Sequence, residues 1–154
     1  MRTILIMLLL FCYQHVASAE ELNTMIGYVI DVEDTRALVV ERRESSEGVV
    51  FGQPVWFNLG QKAHIGDLLK VTYTNLLKSY PAQGAAETVQ VLTPTYVNGS
   101  RNSEGDIIQK ALIKDEVKQL NKPVIVSMVF SQGQWTTVWK PLLDEKEVTV
   151  VIAD

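Results

Sequence analysis

Few side chains in this sequence can do chemistry, and their spacing limits what that chemistry can be. Cys12 is the one thiol of the 154 residues, and His15 and His64 are the two imidazoles. His64 sits in a turn-like Lys-Ala-His-Ile-Gly run. As a base for nucleophilic catalysis it would need a Ser or Thr within reach and an acid to orient the ring. The sequence has no Gly-x-Ser-x-Gly, no His-Glu-x-x-His, no phosphate-cradling glycine loop and no dinucleotide fingerprint. Asp31, Glu33 and Asp34 gather three carboxylates about one turn, an oxygen set of the kind Ca²⁺ takes. They lack EF-hand spacing and fit an acidic hairpin tip, so no metal is assigned. Trp135, Thr137 and Trp139 alternate, which puts two indoles on one strand face. Exposed, Trp135 and Trp139 would form a partner surface; beneath a helix they would be core. These patterns assign no catalytic residue and no cofactor. A paired-carboxylate hydrolase stays open as an alternative, because acids are plentiful and their separation in space is not legible.

The first segment has the pattern of an export signal. Arg2 precedes an apolar run from Thr3 to Tyr13, and Ala17-Ser18-Ala19 predicts cleavage before Glu20. A membrane span needs about 20 apolar residues, and Gln14, His15 and Ser18 interrupt the run too early. Leu9-Leu10-Phe11-Cys12 resembles a lipobox, but the large Phe11 before the cysteine argues against lipid anchoring at Cys12. Cleavage would remove Cys12 and His15, leaving a secreted or extracytoplasmic chain with no disulfide and no membrane span. Its stability must then come from its core, which a chain of this size can supply. Every acidic residue lies after the cleavage site, and the whole chain carries a formal charge of −4. That balance argues against nucleic acid or anionic lipid as a partner. Arg42-Arg43, flanked by Glu41 and Glu44, fits a solvated strand end.

These side chains must be positioned mainly by strands. Ile26, Tyr28, Ile30 and Val32 alternate with Gly27, Val29, Asp31 and Glu33, the period of a half-buried strand. A tight turn at Asp34-Thr35 leads to a second strand over Arg36 to Glu41. After a polar stretch come Val49-Val50-Phe51 and, past the punctuation of Gly52-Gln53-Pro54, Val55-Trp56-Phe57. Leu69, Val71 and Tyr73 mark a longer strand, and Val89 and Val91 another beyond the loop 75–84. Short strands without an amphipathic helix argue for a small closed or partly closed barrel.

The turn-rich connection 93–101 leads to a helix capped by Ser103, with Glu104 and Asp106 at its positive end. Pro123 stops it. Ile107, Ile108, Ala111 and Leu112 share one side, whereas Ile113, Val117 and Leu120 lie on the other. The helix therefore either breaks near Lys114 or is covered on two faces. Three strands follow, around 124–130, 135–139 and 148–152, with a turn at Ser131–Gln134. The expected class is α+β and β-rich: a five-stranded, closed or partly closed barrel, then a helix and a three-stranded antiparallel meander.

Gly27-Tyr28-Val29-Ile30-Asp31, Leu38-Val39-Val40, Val55-Trp56-Phe57, Gly66-Asp67 and above all Ser79-Tyr80-Pro81-Ala82-Gln83 resemble the family called domain of unknown function 3221. The resemblance spans about residues 26–92. It implies an extracytoplasmic barrel domain of the oligonucleotide/oligosaccharide-binding (OB) shape, found in small exported proteins and lipoproteins of Gram-positive spore-forming bacteria, and it implies no activity. The expected organisation is a signal peptide at 1–19, a barrel at 20–92, a connection at 93–101 and a helix-plus-sheet unit at 102–154. In OB-type barrels the loop between the last two strands and the turn between the first two frame the binding face. Tyr80 and Gln83, with Asp34 and Trp56, are therefore the candidate ligand contacts; the competing reading has Tyr80 plugging the barrel end. The expected function is an exported, non-catalytic binding or accessory protein with an extracytoplasmic ligand or protein partner. The alternatives are a secreted inhibitor or immunity-like protein that docks a partner, and a small extracellular hydrolase.

Overall fold

The computed structural model describes residues 21–154. The signal-like segment 1–19, with Cys12, lies outside the described residues. Strands β1 (Asn23–Glu33), β2 (Arg36–Ser45) and β3 (Gly48–Asn58) form an antiparallel meander. The β1–β2 turn places Asp34 at φ 56°, a left-handed conformation that Asp tolerates better than most residues. Strand β4 (Leu68–Tyr73) returns along the other side of β1. Three short strands follow: β5 (Leu76–Leu77), β6 (Ala82–Ala85) and β7 (Thr88–Val91). β6 runs parallel to β3 over Val55–Asn58, and β7 lies antiparallel to β4. Helices α1 (Glu104–Leu112) and α2 (Asp115–Lys118) lead into a second antiparallel meander of β8 (Pro123–Ser131), β9 (Gln134–Pro141) and β10 (Val148–Ala153). β8 pairs with β3 at Val49 and Val50, which joins the two meanders in one sheet. The strand order β10-β9-β8-β3-β2-β1-β4-β7 is an open path, with β5 and β6 off it.

Two details of the strands differ from the alternation in the sequence. Gly52-Gln53-Pro54 does not separate two strands. β3 runs through it, with Gly52 and Gln53 together facing Glu41, because Phe51 pairs with Arg42 and Pro54 with Val40. This is a β-bulge, which bends the strand at that point. In β1, Tyr28, Val29 and Ile30 are all buried, while Ile26 and Val32 at the ends are exposed. The period-two reading of a half-buried strand fails here because the centre of the sheet is covered on both faces.

Those faces bury different sets of side chains. Val29, Ala37, Val39, Val55, Phe57, Leu69 and Val71 pack together on one side of the β1–β4 sheet. On the other side Tyr28, Ile30, Leu38, Val40 and Trp56 belong to one cluster with Ile107, Ile108, Trp135 and Trp139 of the C-terminal half. The two halves of the chain thus share a hydrophobic cluster.

The first helix starts where its residues require. Ser103 Oγ accepts from the Asp106 N–H at 3.1 Å, and the Asp106 carboxylate accepts from the Ser103 N–H at 2.9 Å, a complete capping box. The helix ends at Ile113, which is exposed, and a separate short turn of helix carries the buried Val117. The break near Lys114 is therefore the arrangement adopted. Asp154 Oδ1 accepts from Ser100 Oγ at 2.6 Å and from the Trp135 indole at 3.2 Å, and Oδ2 accepts from the Arg101 N–H at 2.6 Å. Desolvation pushes this carboxyl up, but the donors of Ser100, Arg101 and Asn102 outweigh it and hold it well below its usual value.

Helix α1 docks by backbone approach on the β3–β4 loop. A methyl group on Gly105 would overlap the carbonyl oxygen of Gly66, whose own φ of +91° disfavours any other residue. Gln109 Nε2 donates to the Ile65 carbonyl at 2.6 Å beside this contact. Helix propensity alone would make Gly105→Ala stabilising by about 1 kcal/mol. The close approach predicts the opposite sign, a loss of about 1–3 kcal/mol in urea unfolding. A stabilised variant would show that the helix does not sit on this loop.

Candidate functional site

Gln83, Trp56 and Arg36 come together on three neighbouring strands. Gln83 on β6 lies opposite Trp56 on β3. The Arg36 guanidinium of β2 stacks over the Trp56 ring, 5.2 Å from its centroid, and reaches the Gln83 amide oxygen at 3.4 Å. Asn58, Asn75 and Leu77 complete a shallow recess of about 450 Å³. Of the four expected ligand contacts, this recess holds Trp56 and Gln83. Trp56 is almost fully buried, so its face is presented through the stacked arginine rather than directly.

Tyr80 lines a different and larger feature. A groove of about 730 Å³ runs between the bulge of β3 and strands β8 and β9. Tyr80, half-exposed, stands on it with Tyr73, Phe51 and Gln53 from the first half, and with Val124–Val126 and Lys140 from the second. Arg43 pairs with Glu41 on one wall, and Lys140 pairs with Glu145 at 2.7 Å on the other. The hydrogen bond to Glu145 raises the Lys140 ammonium above its ordinary value, so its charge persists. Asp34 lines neither feature; it stays on the exposed β1–β2 turn. The four expected contacts therefore do not form one site.

Trp135 and Trp139 are core. They are 1% and 0% exposed. The Trp135 indole N–H donates to Ser100 and Asp154, and that of Trp139 donates to Thr137 Oγ1 at 2.9 Å. The expectation that they present a partner surface is corrected by their burial in the cluster that also holds Ile107, Ile108 and Met128, where indole burial contributes most. His64 is largely exposed, with Nδ1 3.5 Å from Asp67 Oδ2, and among the described residues no hydroxyl is hydrogen-bonded to its ring. Among the described residues, no three or more of His, Cys, Asp and Glu stand together as metal ligands, and Asp31, Glu33 and Asp34 form no such group.

A buried ionic group was not legible in the sequence. The Glu104 carboxylate, fully buried, accepts from Arg42 Nε at 2.7 Å and Arg42 Nη2 at 2.8 Å, a two-pronged pair. Tyr28 Oη donates to the same carboxylate at 2.9 Å. Arg42 is thus not a solvated strand end; its side chain is 13% exposed and points into the shared core. The signal was there in Leu38, Val40 and Arg42, which continue one alternating face. Burial pushes the Tyr28 hydroxyl well above its usual value, and the Glu104 hydrogen bond raises Arg42 further. The trio links β1 and β2 to α1, and its chemistry is structural. Breaking a buried pair leaves a charge without its answer, at a cost of about 3–5 kcal/mol. Glu104→Gln is expected to lose that much in urea unfolding, and Tyr28→Phe only about 1–2 kcal/mol. A Glu104→Gln protein as stable as the parent would remove the ion pair from the account.

Neither the curated proteins nor the solved structures contain a match to this chain. Residues 26–93 match the family model described as protein of unknown function (DUF3221). That segment runs from within β1 to just past β7 and contributes the β3 bulge and the Tyr80 loop to the groove. Over residues 26–93 this chain is thus similar to the DUF3221 family.

Proposed function

We propose that this is an exported, non-catalytic binding protein that acts at the cell envelope or outside the cell and holds its ligand in the groove between its two halves. Export is inferred from the Arg2, Thr3–Tyr13 and Ala17-Ser18-Ala19 pattern. The observation that carries the binding reading is the groove itself, a concave space of ligand-pocket size with apolar and polar groups converging on it.

We further read the first half as an OB-like barrel in which β6 and β7 are one strand that changes partner. Its first part pairs with β3 and its second with β4. At the handover Ala86 N–H donates to the Asn58 carbonyl at 3.0 Å and Glu87 N–H to the Thr72 carbonyl at 2.8 Å. On this reading the second and third strands would offer the usual ligand face of such a barrel. Here the Leu38, Val40 and Trp56 side of those strands is packed against α1 and the second meander. The chain's own C-terminal half occupies that face, which moves the open binding surface to the groove at its margin.

The test is thermal unfolding of residues 20–154 against cell-wall fragments, oligosaccharides and peptides. A ligand at about 100 times its Kd stabilises by about 2.7 kcal/mol, a shift of several degrees. For a ligand found this way, Tyr80→Ala and Lys140→Ala should each weaken binding by about tenfold, on the order of 1.4 kcal/mol. Gln83→Ala should leave it within about twofold. The reverse pattern would move the site to the Arg36 recess and overturn the groove.

A further inference from the structure

We propose that the occupant of the groove is an extended polypeptide, whose main chain adds as a short strand between β3 at Gly52–Gln53 and β8 at Val124–Val126. The inference rests on the groove being the binding site, and it deepens that reading by naming the ligand class.

On its outer side β3 is paired with β8 at Val49 and Val50, and with β6 from Val55 to Asn58. The residues between, Phe51 to Pro54, have no strand partner there among the described residues. The bulge leaves Gly52 and Gln53 without a register partner on the β2 side as well. Strand β8 shows the matching feature. Its register with β9 skips at Val126, and its pairing with β3 goes no further than Ser127. Bulges bend strands, so two strand edges diverge from the Val50–Ser127 pair and face each other across one groove. Backbone N–H and C=O groups need partners, and an exposed strand edge is a template for another extended chain. Because β3 and β8 are antiparallel, one inserted strand runs parallel to one wall and antiparallel to the other.

Charge selects among extended polymers. Each wall carries one closed ion pair, Arg43–Glu41 and Lys140–Glu145, so the lining has two cations and two anions and no net charge. A polyanion such as nucleic acid or an acidic glycan finds no surplus cation to release its counterions. A neutral polypeptide backbone matches this lining and supplies the donors and acceptors that a strand edge answers. Phe51, Tyr80 and Val126 lie on the groove with part of their surface open, so side chains of the added strand meet apolar surface.

The test uses ¹⁵N-labelled residues 20–154 and three probes. These are a pooled library of acetylated, amidated octapeptides, the same library with alternate backbone nitrogens methylated, and neutral chitohexaose. The expected result is amide shift changes at both Phe51–Gln53 and Val124–Val126 with the first library. Hydrogen exchange at the Gly52 and Gln53 amides should slow at least tenfold. The methylated library, which cannot donate at alternate positions, should bind at least tenfold more weakly. Equal binding of both libraries would overturn strand addition. Groove shifts with chitohexaose alone would also overturn it while leaving the groove as the binding site. A groove untouched by all three probes would contradict both readings.

Discussion

The arrangement depends on one buried charge. Glu104 sits at the start of α1, fully enclosed, and is answered by Arg42 from β2 and Tyr28 from β1. A carboxylate taken out of water is costly unless its lone pairs are satisfied, and three donors satisfy this one. Few positions of the helix allow that match. The Gly66–Gly105 approach fixes the helix a second time, by backbone contact rather than charge. Together they set how the C-terminal half lies on the first meander, and everything between the halves follows from that.

One consequence is that the centre of the first sheet is covered twice. Val29, Val39 and Phe57 pack on one side, and Tyr28, Leu38 and Val40 on the other against Ile107, Ile108 and the two indoles. A second is the groove. β8 meets β3 only at Val49 and Val50 and then diverges, because bulges at Gly52–Gln53 and at Val126 bend the two strands. The space opened there is where Tyr80 from the first half and Lys140 from the second come to one surface. Neither half would form that surface by itself.

Much of the element order was legible in the sequence. The first two strands and their Asp34 turn, the Ser103 cap and the final meander follow from alternation and capping chemistry, while the divided apolar stripe left a break near Lys114 as one of two arrangements. What was not legible depends on contacts distant along the chain. Arg42 and Glu104 are 62 positions apart, whereas Glu41 and Glu44 flank the basic pair in the sequence and are the partners that local spacing offers. Gly52-Gln53-Pro54 has the composition of a turn, and only the register with β2 makes it a bulge. Tyr80, Gln83, Asp34 and Trp56 were grouped by analogy with a loop-framed face. The structure divides them because α1 and the second meander cover the outward side of β2 and β3. For Trp135 and Trp139, alternation gave the shared face but not which side of the sheet is covered.

The central claim is that the buried ionic contact makes the two halves one cooperative unit with the groove at their seam. Native-state hydrogen exchange in rising urea tests it most directly, comparing the Val39 amide of the first meander with the Val150 amide of the second. Sub-global openings separate such amides, whereas global unfolding brings them to one free energy. The account predicts that both converge on the same opening free energy and the same urea dependence. Exchange at Val150 through a markedly smaller opening, with Val39 still protected, would show halves that unfold independently and would contradict it.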